Sequence, residues 1–452
     1  MQPNASIYDS VIYGNIFSSQ DMRAIWSDQS RIQRYLDFEA ALARAQARLG
    51  IIPQDACDEI VRHCRVEEMD FDKLRQVTEH VGYPVLPVVE QLTALCADGL
   101  GQWCHWGATT QDITDTATVL QIRSSLDLVD AKLTAISAAL ATLAKAHRDT
   151  PMIGRSNLQQ AVPMTFGYKV AVWLAGIERH RERLAQLRPR VLVGEFGGAV
   201  GALNSLGDRG LDVQAGVCAE LSLGQPLISW HTMHDAFAET GTFLALVCAT
   251  LEKIAFDVKV MAATEIAEVQ EPDGGGGRGA SSTMPQKRNP ISCAYITGCN
   301  GVVRQHAAAL LTASVADFER ATGPWEIEWI VLPEIFCLSA GALDQAVFML
   351  EGLVVHPDAM ERNLHLTNGL VNTEAVMMAL APKMGRETAH DALSKIAIAV
   401  SQGKGSLIDL LSQDEKISKV FDRGQLEKLI DPNNYLGQAG PMTDRVLASL
   451  DR

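Results

Sequence analysis

Two heptad seams are the feature that most constrains how this chain can fold. Between residues 119 and 143, apolar side chains recur at alternating steps of three and four residues. The first seam consists of Val119, Ile122, Leu126, Val129, Leu133, Ile136, Leu140 and Leu143. A period near 3.5 keeps one apolar stripe on the same side of a helix, so this seam predicts a long helix packed in a bundle.

The second seam predicts another long helix and, with it, an all-α fold. It consists of Phe237, Leu244, Val247, Leu251, Ile254, Val258 and Met261, and Thr240 interrupts it. Further helices are predicted over 164–187, 291–314 and 332–353. We expect three helical domains: an N-terminal α domain over 1–112, a central long-helix bundle over 113–360 with a loop at 273–290, and a small C-terminal α domain over 361–452.

The flanking domains are predicted from shorter helical patterns broken by glycine and proline. In the first domain, helices are expected over 18–49, 71–80 and 88–96, and Gly50 is expected to end the first of them. In the last domain, the breaks fall at Gly369, Pro382, Gly385, Gly403 and Pro432.

Composition narrows the classes of partner and compartment. A formal net charge of −15 disfavours nucleic acid and anionic membrane surfaces as partners. Apolar runs such as 243–248 are far shorter than a bilayer span, and no signal-peptide pattern opens the sequence. The nine cysteines are spread singly, without CxxC pairs or zinc-ligand spacing. We therefore expect a cytoplasmic protein with free thiols and no contact with membrane.

Residues 278–290, RGASSTMPQKRNP, are the strongest chemical motif and are called the signature loop below. They follow the glycine tract 274–277, which permits backbone conformations closed to other residues. Lys287 and Arg288 add positive charge, so the stretch is suited to cover an anionic substrate. A solvated linker with a helix cap is the alternative interpretation.

The signature loop resembles that of the aspartase/fumarase superfamily, in which Gly-Ser-Ser leads into Met-Pro-x-Lys-x-Asn-Pro. Ala280 stands where the family usually has glycine. Other segments extend the resemblance over nearly the whole chain, toward the branch that holds adenylosuccinate lyase and 3-carboxy-cis,cis-muconate cycloisomerase. The resemblance implies a homotetramer whose long helices form a core of about 20 helices. It also implies composite active sites built from three chains, with no metal and no cofactor.

The resemblance implies a catalytic role for three loop residues. Ser281 matches the general base that acts at the carbon next to a carboxylate, and Lys287 and Asn289 match the groups that stabilise the aci-carboxylate intermediate. A serine hydroxyl is a very weak base, so this role requires local stabilisation of its anion. Ser282 and Met284 are assigned to substrate contact, although a serine here is also a common turn residue.

A second segment, 105–112, resembles the family's first signature, which offers hydroxyls and amides to substrate carboxylates. It assigns His105, Thr109, Thr110 and Gln111 to substrate binding, with Thr110 in place of the usual serine. The same residues are also suited to cap the long helix that follows, and we expect both roles. A lone histidine such as His105 is more often structural.

A third segment, 154–163, matches the second family signature, Gly-Arg-Thr-His-Leu-Gln. Arg155 and Gln159 are assigned to carboxylate binding, and Asn157 stands where most members have histidine. A carboxylate leaves as a stable anion, with a pKa near ~4, and needs no proton from an acid. The asparagine therefore favours lactone chemistry, although His105 or a residue of another chain could supply a missing acid.

Segment 320–329 resembles the cycloisomerase branch, where an arginine and a glycine precede a Trp-x-x-Glu-Trp run. Arg320 and Trp325 are assigned to substrate binding on this basis. Spacing alone would place Trp325 and Trp329 in a core or an interface. His231, His234 and Asp235 lack a further ligand cluster, so we expect structural or capping roles for them rather than a metal site.

These assignments give a leading hypothesis and two rivals. The first is a cofactor-free 3-carboxy-cis,cis-muconate cycloisomerase-like enzyme that interconverts carboxymuconate and its lactone. The second is a lyase that cleaves a C–N bond in an N-substituted aspartate, such as adenylosuccinate, and releases fumarate. The third is a helical scaffold without activity. In both enzymes the substrate is a small di- or tricarboxylate.

Overall fold

The computed structural model describes residues 5–450 and shows an almost wholly helical protein. The helices of the first half are α1 (Gly14–Phe17), α2 (Gln20–Ile25), α3 (Asp28–Arg48), α4 (Gln54–His63), α5 (Phe71–Val81), α6 (Val85–Leu95), α7 (Thr110–Ala146), α8 (Phe166–Val191) and α9 (Gly210–Glu220). Those of the second half are α10 (Asp235–Met261), α11 (Ile291–Ala313), α12 (Pro324–Glu351), α13 (Pro357–Leu364), α14 (Thr373–Met384), α15 (Arg386–Ser401), α16 (Leu407–Gln413), α17 (Arg423–Leu429) and α18 (Ala439–Leu447). The predicted all-α class is confirmed.

Both predicted long helices are present. The seam of α7 is completely buried from Val119 to Leu140, whereas Leu143 is only half-buried and Ala144 takes the buried position in the last turn. In α10 the interrupting Thr240 is buried as well. Its hydroxyl donates a 2.8 Å hydrogen bond to the carbonyl of Ala236, so the seam continues without an unpaired polar group.

Local capping explains where helix bounds differ from the prediction. The helix expected over 18–49 is divided at Trp26 and Ser27, because the Ser27 hydroxyl accepts from the amide of Ser30 and starts α3 there. Helix α12 begins eight residues before the predicted 332, with Pro324 at its first position, where a proline lacks no needed N–H. Gly50 follows α3 with a left-handed φ of 69°, as expected for a residue that ends a helix.

Residues 5–450 contain four short strands in two antiparallel pairs, which the sequence did not predict. Strands β1 (Pro151–Ser156) and β2 (Gln159–Thr165) pair from Pro151 with Thr165 to Ser156 with Gln159, with a register shift between Ile153 and Arg155. Strands β3 (Val269–Gln270) and β4 (Val354–Val355) form the other pair. Segment 154–163, which matches the second family signature, therefore lies on a hairpin.

The chain forms two compact units, each made of discontinuous segments. The first contains the chain up to Leu133, His180–Glu252 and Tyr295–Gln345, and the second contains Thr134–Arg179, Lys253–Ala294 and the chain from Ala346 onward. The first has a core of residues from α3, α4, α6, α9 and the start of α7. The second has a separate C-terminal core around α14, α15 and α16. The division into domains at 112 and 360 stays a prediction.

Among the helices of residues 5–450, one, Pro324–Glu351, is long and apolar enough to cross a membrane by length and composition alone. Within the protein, 72% of its apolar window is buried, which is typical of a core helix. The cytoplasmic location and the homotetramer expected from the sequence stay predictions.

Candidate active site

The predicted site residues fall into two groups, one in each unit, and each group is described within its own unit. The second unit holds the signature loop and the β1–β2 hairpin. The first unit holds the start of α7 and the segment around Arg320.

In the signature loop, the Ser281 hydroxyl oxygen is the acceptor of a tight turn. It accepts from the backbone amides of Thr283 at 3.3 Å and of Met284 at 3.1 Å. Two N–H groups directed at one oxygen stabilise negative charge on it, which is what a serine needs to act as a base. Ser282 and Met284 themselves are exposed.

The loop is closed at its base by Gly279 and Asn289. The Asn289 amide and side-chain Nδ2 both donate to the carbonyl of Gly279, at 2.8 Å and 2.9 Å. Gly279 has a φ of 74°, and a Cβ there would lie 2.3 Å from the carbonyl oxygen of Asn289, so only glycine fits. In the structure both nitrogens of Asn289 hold the loop closed. The role of Asn289 toward the substrate stays a prediction.

The three cationic side chains of the loop differ in how many contacts they make with other groups of the protein. The Arg278 guanidinium lies 4.4 Å from the centre of the Phe348 ring and donates to the Ser292 hydroxyl at 2.9 Å, which anchors the start of the loop. Arg288 donates to the carbonyl of Pro285 at 3.1 Å. Lys287 is exposed and forms no ion pair within residues 5–450. It is therefore the loop cation best able to meet a substrate carboxylate.

Within the hairpin, Arg155 is occupied by a buried acid. Its guanidinium donates to both oxygens of Glu268, at 2.8 Å and 2.6 Å, and the Asn363 amide donates to the same carboxylate at 2.8 Å. Glu268 is completely buried. The Glu268 carboxylate neutralises Arg155 internally, so the structure shows an anchor for the hairpin. The assignment of Arg155 to substrate carboxylates stays a prediction.

The hairpin turn exposes Asn157, which stands at the histidine position of the family signature. Asn157 and Leu158 form the two-residue turn, with φ values of 52° and 63°, and both are exposed together with Gln159. Asparagine tolerates this left-handed conformation better than most residues. The turn carries no titratable side chain from Ser156 to Gln159. Asn157 and Gln159 point their amides to solvent as hydrogen-bonding groups and cannot act as acids.

In the first unit, Arg320 meets two residues of the other predicted segment. Its Nε donates to Oε1 of Gln111 at 3.1 Å, and its Nη1 donates to the hydroxyl of Thr109 at 2.5 Å. Within residues 5–450 it forms no ion pair with an acid. A half-buried guanidinium held by neutral partners is a preformed anion-binding group, because nothing cancels its charge.

The start of α7 is built around the buried carboxylate of Asp112. It accepts from the amide of Thr109 at 2.9 Å, which caps the helix, and from the amides of Gly197 and Gly198 at 2.8 Å and 3.0 Å. Thr110 is the first residue of the helix and is half-buried. The capping role expected for this segment thus comes from Asp112.

His105 is held by a buried acid that the sequence did not indicate. Its Nδ1 lies 2.6 Å from Oε1 of Glu39, and its amide donates to the other oxygen of Glu39 at 2.9 Å. Burial lowers the pKa of His105, but the Glu39 carboxylate outweighs it and the net pKa is raised. His105 therefore carries a structural ion pair, and its assignment to substrate stays a prediction.

His231 belongs to a buried cluster with Asp112 and Glu195. Its Nε2 lies 2.7 Å from Asp112 and 3.6 Å from Glu195. Burial raises the pKa of Glu195 to about 7, against the opposing charge of His231. These three residues have the composition of a metal site. However, four backbone N–H groups already point at the two carboxylates, which suits an internal ion pair better than a cation.

His234 forms a second buried cluster that positions predicted site residues. Its Nδ1 lies 2.8 Å from both oxygens of Glu328, and its Nε2 lies 3.3 Å from Asp115. Burial lowers the pKa of His234, yet Asp115 and Glu328 raise it to about 10, so it stays charged at neutral pH. Asp115 in turn accepts from Nε2 of Gln111 at 3.0 Å and from Nε1 of Trp325 at 2.9 Å.

Tyr83 is a further residue of this region that the sequence gave no sign of. Its ring stacks on Trp325 at 5.9 Å between centroids and meets the edge of Trp329 at 5.8 Å. Its hydroxyl donates to Glu326 at 3.3 Å. The sequence also gave no sign of four buried acids, because their partners lie tens to hundreds of positions away in the chain. These acids are Glu39, Asp115, Glu195 and Glu268.

Two family models match the chain, one over its N-terminal two thirds and one near its C-terminus. One, described as Lyase, covers residues 17–304, and another, described as Adenylosuccinate lyase C-terminus, covers residues 369–446. The first alone spans more than half of the chain.

Three full-length relatives are also similar to the chain. Trans-aconitate decarboxylase 1 of Mycosarcoma maydis is 54% identical over 96% of this chain and 88% of its own length. A 3-carboxy-cis,cis-muconate cycloisomerase of Pseudomonas aeruginosa is 42% identical over 97% of this chain and 96% of its own length. The solved structure of a fumarate lyase from Mesorhizobium sp. BNC1 is 50% identical, covers 96% of this chain and 99% of its own, and superposes with a TM-score of 0.91.

Proposed function

The chain belongs to the aspartase/fumarase superfamily of lyases, and on that basis we propose that it transforms an unsaturated tricarboxylate by proton transfer at a carbon next to a carboxylate. The observation that carries the proposal is Asn157 on an exposed turn without a titratable side chain. A group that leaves without needing a proton fits such a turn.

The signature loop supports the proton-transfer step. Ser281 exchanges the proton at the α-carbon, and its oxygen is stabilised by the amides of Thr283 and Met284. The second charge that develops on the neighbouring carboxylate is met by the ammonium of Lys287, which forms no ion pair with the described residues 5–450. The match to the family motif and the geometry of the loop support these proposed roles.

Two reactions of unsaturated tricarboxylates meet the requirement at Asn157. In lactone formation, a carboxylate oxygen adds to one carbon of a C=C bond and a proton is added to the other, and in the reverse direction the carboxylate leaves as an anion. In decarboxylation, a C–C bond to a carboxylate breaks and CO₂ leaves. The electron pair of that bond is delocalised through the C=C bond to a carbon next to another carboxylate, and this carbon takes up the proton. Neither leaving group takes up a proton, so neither requires an acid in place of Asn157.

The names of two relatives support the proposal that the substrate is a tricarboxylate. Trans-aconitate and 3-carboxy-cis,cis-muconate are both unsaturated acids with three carboxylates, and the relatives named for them are 54% and 42% identical to this chain. The higher identity favours decarboxylation of a trans-aconitate-like acid over the cycloisomerase reaction expected from the sequence. Arg320, with its uncancelled charge, is proposed to bind one carboxylate. Further contacts are proposed from Thr110, Gln111, Gln159, Ser282, Met284 and Trp325.

We propose a homotetramer with composite active sites, as the family resemblance implies. Exposed apolar residues on the long helices support assembly with further copies of the chain, among them Val172, Leu246, Phe256, Leu311 and Ile330.

A second candidate is the fumarate-forming cleavage of an N-substituted aspartate. The observation that favours it is the 50% identity to a structure described as a fumarate lyase. An amine is a poor leaving group without protonation, so this reaction would need an acid other than Asn157.

A substrate panel tests the proposal. Purified protein is incubated with trans-aconitate, 3-carboxy-cis,cis-muconate and a set of N-substituted aspartates, and decarboxylated acid, lactone and fumarate are measured by NMR. Turnover of a tricarboxylate supports the proposal, and fumarate from an aspartate derivative alone refutes it. Loss of turnover in Ser281→Ala, with the oligomer intact by size-exclusion chromatography, excludes the inactive scaffold.

A further inference from the structure

A large cationic pocket lies beside the signature loop, within the second unit. Its volume is about 750 Å³, and it is lined by the end of α10, by residues 262–273, by the loop and by His356. Four cations line it, Lys259, Arg278, Lys287 and Arg288, together with two acids, Glu271 and Asp273. The volume is in the range of pockets that hold small organic ligands.

The acids of this pocket cancel little of its positive charge. The Glu271 carboxylate accepts from the amides of Ser292 and Cys293, at 3.0 Å and 2.9 Å, so it is committed to the first turn of α11. Asp273 is the other acid, and it is exposed. A pocket with excess positive charge stands out in a chain whose formal net charge is −15.

Among the four cations that line the pocket, Lys259 is the one that lies on a helix, and it forms no ion pair with an acid of residues 5–450. It lies in the last turn of α10, and its Nζ is 5.7 Å from the centre of the Phe256 ring. Within residues 5–450 it forms no ion pair, whereas Lys253 on the same helix is paired with Asp257 at 2.6 Å. An ammonium without a partner on a rigid helix is well placed to bind a ligand anion.

We infer that this pocket binds a carboxylate of the substrate remote from the reacting carbon, with Lys259 as the residue that selects tricarboxylates over dicarboxylates. Lys287 and Asn289 line the same pocket, whereas Ser281 does not. Lys287, which is proposed to meet the carboxylate next to the reacting carbon, thus shares this pocket with Lys259, so that a substrate held by Lys287 can extend a further carboxylate to Lys259. A dicarboxylate has no third group to fill this position. The inference rests on the function proposed above.

The test compares Lys259→Met with Lys253→Met. Methionine keeps an apolar side chain beside Phe256 while removing the charge, and Lys253 is an exposed lysine of the same helix that does not line the pocket. Binding of propane-1,2,3-tricarboxylate and of succinate is measured by isothermal titration calorimetry at constant ionic strength. Neither acid needs to react, so the result is independent of which reaction the enzyme catalyses.

We expect Lys259→Met to weaken tricarboxylate binding about tenfold, while succinate binding stays within about twofold and Lys253→Met changes neither. Equal weakening of both acids, or no change in either, would overturn the inference. Binding of inorganic phosphate is measured in the same way, to test whether the pocket binds a free anion instead of a carboxylate of the substrate. If phosphate binding disappears in Lys259→Met while tricarboxylate binding persists, the pocket serves another anion and the inference fails.

Discussion

Replacing Arg320 with methionine should weaken substrate binding without unfolding the protein. Arg320 follows α11 and precedes α12, is half-buried, and donates hydrogen bonds to neutral groups of Thr109 and Gln111. No acid among residues 5–450 forms an ion pair with this guanidinium, so the variant leaves no acid of that range without its partner. Any loss should therefore be a loss of ligand binding.

The magnitude follows from the donors that remain free. A guanidinium carries five N–H donors, of which Nε and one on Nη1 are used by Gln111 and Thr109. The free edge can meet a carboxylate with two hydrogen bonds, each contributing about 1.5 kcal/mol when one partner is charged. The sum of about 3 kcal/mol corresponds to a roughly 150-fold rise in the dissociation constant.

The assay is calorimetric titration with propane-1,2,3-tricarboxylate, followed by KM and kcat for whichever acid is turned over. The matched control is Arg304→Met, since Arg304 is an exposed arginine of α11 whose nearest acid, Glu252, lies 3.9 Å away. We expect a large rise in Kd and KM for Arg320→Met alone. A change of less than about threefold, or a fall in kcat with KM unchanged, would refute the assignment of Arg320 to substrate binding.

Three further predictions concern the loop, the hairpin and the buried histidine. Gly279→Ala should abolish turnover, because its Cβ would meet the backbone of Asn289, whereas Gly276→Ala, with open space at its Cβ, should keep activity. Glu268→Ala should lower the free energy of unfolding by about 3–5 kcal/mol in urea titrations, since it leaves Arg155 half-buried without its carboxylate. The charge of His234 contributes stability that is complete below its unfolded pKa, near 6.5, and is lost as the pH rises toward its folded pKa of about 10. Unfolding free energy should therefore fall as the pH rises from about 7 to about 10.

Each of these predictions has its own control. Equal activity in the two glycine variants would show that the closed loop base is dispensable. The pair Glu268→Met with Arg155→Met removes both charges, and should recover part of the lost stability; no recovery would mean that the ion pair is not the cause. The pair His234→Gln with Glu328→Gln should flatten the pH dependence of unfolding, and an unchanged slope would assign that dependence to other groups.

The long helices could be predicted because their signal is local. The seams of α7 and α10 are read from spacings of three and four residues, and nearly all their members are buried as expected. The signature loop could be identified because its chemistry is contained in thirteen consecutive residues, 278–290. Hydrophobic periodicity and a contiguous motif can both be recognised in the sequence without knowledge of the fold.

The supporting residues could not be predicted because their partners are distant in sequence. Arg320 reaches Thr109 across 211 positions, and Arg155 reaches Glu268 across 113. Arg155 was assigned to carboxylate binding from its match to the family signature, and nothing in its spacing shows that Glu268 already matches its charge. The β1–β2 hairpin was missed because its turn, Asn157 and Leu158, lacks the glycine that usually marks such a turn.

The central claim is that the enzyme reacts with an unsaturated tricarboxylate and releases a group that needs no proton. The most direct measurement is ¹H NMR of trans-aconitate and of 3-carboxy-cis,cis-muconate incubated with the protein in D₂O, with Ser281→Ala as the blank. The account predicts conversion of one of these acids, deuterium incorporated at a single carbon, and neither in the blank. Absence of conversion of both acids, with fumarate released from an N-substituted aspartate under the same conditions, would contradict it.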